Sequence, residues 1–267
     1  MNLVEIVGYV SAIGIGISLG LIGGGGSILT VPVLVYLFSI EPIIATTYSL
    51  FVVGITSVVG SISYFKKGLI NIKTAVAFGL SSIFSVMITR LYIVKAIPDS
   101  IIEIGNFVLT KNIFLMLFFA VLMIAASFSM IKKQKNHLST DQAIQEINYI
   151  QLIIQGLIVG LLTGIVGAGG GFLIIPALVL VSKLSMKEAI GTALAIIAAN
   201  TLIGFFSAGN FEIIQWPFLL SITSLAIVGI FIGIQISKKI NGAKLKPAFG
   251  WFVLVMGMYI ISKEIFF

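Results

Sequence analysis

Residues 20–32 read GLIGGGGSILTVP, and residues 164–176 repeat the pattern as GIVGAGGGFLIIP, 144 positions later. In each copy a long apolar run leads into a cluster of small residues, and a second apolar run carries a proline. Backbone that leaves a helix inside lipid must find hydrogen-bond partners in protein or in a water-filled cavity. Glycine-interrupted apolar segments in matching positions of two halves are typical of a transporter's binding site.

Close packing of helices is the other interpretation of these glycines, because small residues let membrane helices approach one another. A single GxxxG motif would favour that interpretation. The four consecutive glycines from Gly23 to Gly26 each cost about 1 kcal/mol relative to alanine inside a helix, which is more than close packing needs. We therefore predict a functional break at each cluster, and packing alone stays open as the alternative.

The composition predicts a polytopic membrane protein. Hydrophobic residues make up 59% of the chain and charged residues only 9%, and apolar runs long enough to cross a bilayer recur along nearly its whole length. The absence of cysteine excludes disulfides, thiolate metal sites and cysteine nucleophiles. The single histidine, His137, lies in the most polar stretch, so we predict no metal site and no cofactor.

The apolar runs form two repeats of five elements, a first repeat over 1–131 and a second over 150–267, joined by a cytoplasmic linker over 132–149. Positions 144 apart also correspond beyond the glycines, which indicates duplication of a five-element unit. The linker has room for a short surface helix over Asp141–Tyr149, and residues 95–111 are predicted as a loop. The ten predicted elements are Leu3–Ile22, Ile28–Phe38, Ile43–Phe65, Thr74–Val94, Asn112–Ile131, Ile150–Val166, Phe172–Val181, 187–208, 216–237 and 247–262.

Lysine and arginine placement predicts the orientation. If every element reverses the side and the linker is cytoplasmic, most of the 16 cationic residues fall inside and both termini fall outside. Five crossings per repeat would make the repeats inverted, whereas short elements that re-enter without crossing would change this parity. The predicted fold class is an all-α polytopic membrane protein with two inverted repeats of about five helical elements each, whose Gly-interrupted short helices meet near the midplane.

Glycine clusters at helix starts leave backbone N–H groups free, and the helix dipole adds partial positive charge there. Such an end binds anions without a buried cation. The third element of each repeat adds hydroxyl and amide groups to the lining. The predicted substrate-binding residues are Gly24, Gly25, Gly26, Ser27, Thr30, Ser49, Ala168, Gly169, Gly170, Gly171, Thr192 and Asn200.

Several of these polar residues have a second interpretation, in which they hydrogen-bond neighbouring helices and only hold the bundle together. The alternative applies to every single Ser and Thr, and for Asn200 the two interpretations stand level. Arg90, the only arginine, either extends to the membrane surface or draws anions toward an external vestibule. No acidic residue lies at the centre of an apolar run, which argues against a cation site and against a carboxylate proton relay.

The twin glycine segments, closing on Pro32 and Pro176, resemble those of the TauE/SafE family of sulfite-exporter-like membrane proteins. The stretches ATTYSL at 45–50 and AIGTAL at 189–194 are similar to that family as well. The resemblance covers essentially the whole chain. It implies an inner-membrane permease with two homologous halves that exports sulfite, sulfoacetate or other small sulfur-containing anions.

We therefore expect a multi-pass secondary transporter of the cytoplasmic (inner) membrane. It would export sulfite or an organosulfonate by alternating access, with the anion and the lipid bilayer as partners, no nucleic acid, and room for homo-oligomers. A channel or permease for another small anion or a neutral solute is the alternative. An enzyme is not predicted, because one loop histidine and no intramembrane carboxylate pair leave little for acid–base or metal chemistry. A sensory subunit is disfavoured, because no soluble domain is evident.

Overall fold

The computed structural model describes residues 3–98, 100–104, 107–131, 149–167, 169–182, 184–209, 212, 214–240 and 242–266. Most of the linker predicted over 132–149, including most of its surface helix, lies outside the described residues. The first half contains helices α1 (Leu3–Ile22), α2 (Gly25–Tyr36), α3 (Pro42–Phe65), α4 (Ile72–Ile88), α5 (Val94–Ala96) and α6 (Lys111–Ile131). A π-helical segment, Thr89–Ile93, joins α4 directly to α5.

The second half contains helices α7 (Tyr149–Val166), α8 (Gly171–Val181), α9 (Met186–Ala208), α10 (Trp216–Lys239) and α11 (Gly242–Phe266). Strands β1 (Ser100–Ile104) and β2 (Phe107–Thr110) pair antiparallel between α5 and α6. The loop predicted over 95–111 was therefore wrong in part, because this stretch contains a hairpin. Its β-branched and apolar residues alternate too briefly to have been read as strands from the sequence.

Seven helices of the described chain are long and apolar enough to cross a membrane: α1, α3, α4 with its π-helical and α5 extension, α6, α7, α9 and α10. The protein is accordingly a multi-pass membrane protein. Helices α2 and α8 have 12 and 11 residues, which corresponds to only about 16–18 Å, well short of a ~30 Å hydrocarbon core. Among the seven long helices, α3 and α9 are the most deeply buried, so the short helices and this pair form the centre of the molecule.

Helix α2 folds back along α1, the long helix that precedes it. Gly26 at the start of α2 lies against Ile15 and Leu19 of α1, and Phe38 just beyond α2 lies against Gly8. In the second half, Gly170 at the start of α8 lies against Thr163 of α7. Helix α2 therefore runs antiparallel to α1, and each glycine cluster is the point where the chain leaves a long helix.

Small residues hold the long helices together in two matching pairs. Helix α1 presents Gly16 and Gly20 to the backbone of α10. Helix α7 presents Gly160 and Gly164 to Ser82 and Ser85 of α4 and to Thr89 of the π-helical segment. The glycines of the two pairs are 144 positions apart. Without a Cβ atom the backbones approach closely, which is how membrane helices gain packing energy in the absence of a hydrophobic force between them.

Helices in corresponding positions of the two halves pack antiparallel to each other. In the α3–α9 pair, Leu50 lies against Gly204 and Tyr64 lies against Gly191. In the α6–α11 pair, Gly250 contacts the end of α6 at Ile131, while Gly257 contacts the Ala120–Ile124 stretch. Gly250 and Gly257 therefore pack within the chain.

Two hydrogen bonds between the halves join equivalent positions. The backbone N–H of Asn71 donates to the Thr192 hydroxyl at 3.0 Å, and the backbone N–H of Gln215 donates to the Tyr48 hydroxyl at 2.7 Å. Asn71 and Gln215 are 144 positions apart, as are Tyr48 and Thr192. The start of α4 is thereby fastened to α9, and the start of α10 is fastened to α3.

Gly16→Ala is expected to lower the melting temperature of the purified protein by several degrees. Its Cβ atom would collide with the Ala226 carbonyl of α10, and overpacking costs about 1–3 kcal/mol. Gly14→Ala is the matched control, since the space around Gly14 is open and alanine favours helix by about 1 kcal/mol. Equal melting temperatures for the two variants would contradict the close α1–α10 contact.

Candidate functional site

The two glycine clusters touch each other in the interior of the protein. A Cβ atom on Gly24 would lie 2.5 Å from the carbonyl oxygen of Gly171, and one on Gly171 would lie 2.5 Å from the Cα atom of Gly24. Gly169 lies beside Ser27, with 3.5 Å between the Ser27 Cβ atom and the place where a Gly169 Cβ would be. The start of α2 and the start of α8 are therefore in direct backbone contact.

Glycine is required where the long helices end. Gly23 and Gly167 have φ angles of +77° and +69°, in the left-handed region that favours glycine. The N–H of Gly23 donates to the Leu19 carbonyl at 2.7 Å, and the N–H of Gly167 donates to the Thr163 carbonyl at 2.9 Å. The chain reverses at these two positions and enters the short helices.

The first turns of α2 and α8 are buried and carry no side-chain cap. Their N-cap residues, Gly24 and Gly170, make no side-chain hydrogen bond to the helix, whereas Asn71 caps α4 and Ser185 caps α9. The first N–H groups of a helix have no partner inside it, and the helix dipole makes this end partly positive. Two such ends in contact create a buried region that favours negative charge.

The predicted hydroxyl donors of α2 are engaged with the backbone. Ser27 Oγ donates to the Gly24 carbonyl and Thr30 Oγ1 donates to the Gly26 carbonyl, each at 2.7 Å. Both side chains are fully buried. In this conformation their oxygen atoms offer lone pairs, and donation to a ligand would require the hydroxyl groups to rotate.

The predicted residues of α3 and α9 have three different surroundings. Ser49 is fully buried, and its Oγ atom has no hydrogen-bond partner in the part of the chain that the structure describes. Thr192 accepts the backbone bond from Asn71. Asn200 pairs with Ser82 of α4, since its Nδ2 donates to Ser82 Oγ at 2.9 Å. The structure thus brings Ser27 to Gly169 and Gly24 to Gly171, while Thr192 and Asn200 bond α4. Ala168 lies outside the described residues.

Arg90 is the group that sequence reasoning left out of the predicted site. It is only 4% exposed, so the interpretation in which it extends to the membrane surface was wrong. Its guanidinium lies against Gly167 and Thr46, and Nη1 donates to Thr46 Oγ1 at 3.3 Å. The sequence does contain a signal for this residue, because Arg90 lies several residues inside an apolar run. Ionisable residues within membrane-spanning segments are candidates for function.

A pocket of about 310 Å³ opens near the loop between α2 and α3. The ring of Phe218 lies 4.9 Å from that of Phe38 and 6.2 Å from that of Tyr48, between ring centroids. This aromatic cluster lines the pocket, and Tyr48 also belongs to α3, the helix that carries Thr46 and Ser49. The pocket is lined by Phe38, Ser39, Ile40, Glu41, Ile44, Tyr48, Gln215 and Phe218.

A bundle of membrane-spanning helices around two short, glycine-started helices in contact is an arrangement found in membrane transporters. The sequence profile of the sulfite exporter TauE/SafE family matches residues 9–260. The chain belongs to this family and is a membrane transporter.

Relatives across bacteria and archaea carry matching names. A "Probable membrane transporter protein" of Xylella fastidiosa is 26% identical over 257 residues, covering 94% of this chain and 92% of the relative. The "Probable membrane transporter protein YunE" of Bacillus subtilis is 26% identical over 260 residues, covering 92% of this chain and 93% of the relative. A "Probable membrane transporter protein" of Methanocaldococcus jannaschii is 33% identical over 119 residues, covering 42% of this chain and 45% of the relative. No solved structure matches the chain.

Asn200→Ala should lower the stability of the protein, whereas Ser49→Ala should not. Asn200→Ala removes the amide that bonds Ser82, and leaving a buried polar group without its partner costs about 1–3 kcal/mol. Ser49→Ala removes a hydroxyl that has no partner, so the melting temperature should stay unchanged or rise. Thermal unfolding of the purified variants measures both effects. A stable Asn200→Ala variant beside a destabilised Ser49→Ala variant would contradict the hydrogen bonding described for α3 and α9.

Proposed function

We propose that this transporter exports a small sulfur-containing anion, sulfite or an organosulfonate, across the cytoplasmic membrane by alternating access. The observation that carries the proposal is the buried contact between two uncapped, glycine-started helices at Gly24 and Gly171. Helix starts of this kind bind anions through backbone N–H groups. The family to which the chain belongs is described by sulfite export, and this supports the choice of a sulfur oxyanion.

The proposed site takes its donors from both halves. Gly24, Gly25 and Gly26 contribute N–H groups from α2, and Gly169, Gly170 and Gly171 contribute them from α8, with Ala168 as a further predicted contributor. Backbone donors stabilise negative charge without requiring a neutralising proton. Ser27, Thr30, Ser49, Thr192 and Asn200 orient the anion, and their hydroxyl and amide groups lie on α2, α3 and α9.

We further propose that residues 1–131 and 150–267 are inverted repeats, joined by a cytoplasmic linker over 132–149. The antiparallel packing of α3 on α9 and of α6 on α11 supports this, because equivalent helices of inverted repeats run in opposite directions. The reciprocal bonds at Asn71 and Gln215 also follow a two-fold relation. In such folds, rocking of one repeat or bundle against the other opens the central site alternately to each side.

Export fits the direction of the membrane potential. An interior-negative potential contributes about 2.3 kcal/mol per charge per 100 mV to moving an anion outward. A uniporter that uses this potential needs no proton-carrying carboxylate, and no acidic residue lies at the centre of an apolar run. The transporter proposed here is therefore driven by the potential alone.

The alternative is a channel or permease for another small anion or a neutral solute. The backbone contact between Gly24 and Gly171 leaves no open passage at that point, which favours a transporter over a channel. Saturation of flux at low substrate concentration, together with counterflow, distinguishes the two.

Sulfite or a sulfonate should stabilise the purified protein against heat. A ligand present at 100 times its dissociation constant adds about 2.7 kcal/mol, which raises the melting temperature by several degrees. The anions to compare are sulfite, sulfate, thiosulfate, sulfoacetate, taurine, phosphate and chloride.

Two valine variants locate the site that produces this shift. Gly25→Val places a branched side chain in the first turn of α2 and should abolish the shift. Gly14→Val lies in open space on α1 and should retain it. The absence of a shift with every sulfur oxyanion at millimolar concentration would overturn the substrate class, and an unchanged shift in Gly25→Val would overturn the glycine site.

Flux of the bound anion should follow an imposed membrane potential. In proteoliposomes with a potassium diffusion potential, an interior-negative potential is expected to accelerate efflux, because only the anion's charge crosses the membrane. A pH-sensitive dye inside the vesicles reports accompanying protons. Obligatory proton movement with each anion would contradict potential-driven uniport. It would not contradict the proposed anion-binding site.

A further inference from the structure

Arg90 is a buried cation whose charge no carboxylate offsets in the described part of the chain. It lies in the π-helical segment Thr89–Ile93, and its side chain is 4% exposed. Its guanidinium makes one hydrogen bond, to Thr46, and packs against the backbone of Gly167. An ionised group buried without a counter-charge costs several kcal/mol, and single-turn π-helical segments are frequent at functional sites.

The two nitrogen atoms that remain free lie on one edge of the guanidinium. Nε and Nη2 have no hydrogen-bond partner among the described residues, while Nη1 donates to Thr46 Oγ1. Nε–H and Nη2–H point in parallel and fit two oxygen atoms bonded to the same central atom. A guanidinium that binds an oxyanion through two parallel hydrogen bonds makes a strong and geometrically selective contact.

We propose that Arg90 is a substrate-binding residue that holds two oxygens of an oxyanion through Nε and Nη2, at the second glycine cluster. The inference rests on the anion transport proposed above and narrows the ligand to anions with at least two oxygens on one atom, such as sulfite or a sulfonate. Chloride offers a single centre and cannot engage both donors with the same geometry.

Neighbouring groups extend the same site. Gly167 and Gly169 belong to the turn that leads into α8, and a methyl group on Gly167 would displace the guanidinium. Thr46 holds Nη1 and thereby fixes the plane of the guanidinium. Ser49 lies one turn further along α3, with a buried Oγ atom that has no partner, and so offers an additional donor on the side of Thr46.

The first half alone carries this cation. The position 144 residues after Arg90 is Ile234, which packs against Gly20. The two glycine clusters therefore differ in electrostatics although their sequences correspond. The anion is held toward the cluster at 167–171, and the cluster at 23–26 contributes backbone donors from the other side.

The variants Arg90→Lys and Arg90→Met distinguish the effect of the positive charge from the effect of the two parallel N–H donors. Lysine keeps a positive charge but cannot present two parallel donors, so the dissociation constants for sulfite and methanesulfonate should rise about tenfold or more. Methionine removes both and should abolish binding. Lys95→Gln is the matched control, because it removes an exposed cation near the same end of the same helix, and should bind like the wild type.

Stability of the ligand-free protein distinguishes binding from a structural role. Removing an uncompensated buried charge should leave the melting temperature of Arg90→Met equal to or above that of the wild type. If Arg90 binds the substrate, Arg90→Met keeps this melting temperature and loses its affinity for the anion. A lower melting temperature with unchanged dissociation constants would assign Arg90 to structure and overturn the inference.

The same titrations distinguish a failure of the Arg90 inference from a failure of the proposed function. If the wild type binds sulfite or methanesulfonate and Arg90→Lys binds them equally well, the Arg90 inference fails and the glycine site stands. If chloride binds as tightly as methanesulfonate and loses as much affinity in Arg90→Lys, the assignment to oxyanions fails. If the wild type binds none of these anions, the proposed function and the Arg90 inference both fail.

Discussion

Backbone polar groups inside a membrane must find hydrogen-bond partners within the protein. The rest of this structure depends on how the backbone is arranged at the two glycine clusters, where the long helices end. Gly23 and Gly167 close the last turns of α1 and α7 in left-handed conformations, and the chain then reverses into helices too short to span. Because neither start has a side-chain cap, their N–H groups are available in the interior. A side chain at Gly24 or Gly171 would separate the two helix starts.

The surrounding helices keep these starts in place. Small residues bring α1 onto α10 and α7 onto α4, and backbone bonds at Asn71 and Gln215 fasten the starts of α4 and α10. Buried partial charge at the glycine clusters and the full charge of Arg90 have the same sign. In the function proposed above, an anion bound at the glycine clusters offsets this positive charge.

Much of the fold was predictable because hydrophobic runs and glycine clusters are local signals. The bounds of α1 were predicted to the residue, and other helices within a few residues, since lipid selects long apolar segments. The hairpin at Ser100–Thr110 was missed, since four or five residues are too few for a pattern. The partners of Asn200 and Ser49 and the burial of Arg90 depend on how helices pack, which no single stretch of sequence encodes. An arginine near the end of an apolar run permits both a surface and a buried position.

The most direct measurement is the location of a bound oxyanion in the transporter itself. Selenite has the shape and charge of sulfite, and its selenium atom can be located by anomalous X-ray scattering in crystals grown with the anion. We expect one selenium peak, close enough for its oxygens to accept hydrogen bonds from Nε and Nη2 of Arg90 and from the N–H groups that begin α2 and α8. A peak elsewhere, with the contact between Gly24 and Gly171 unoccupied and the Arg90 edge still without a partner, would contradict it.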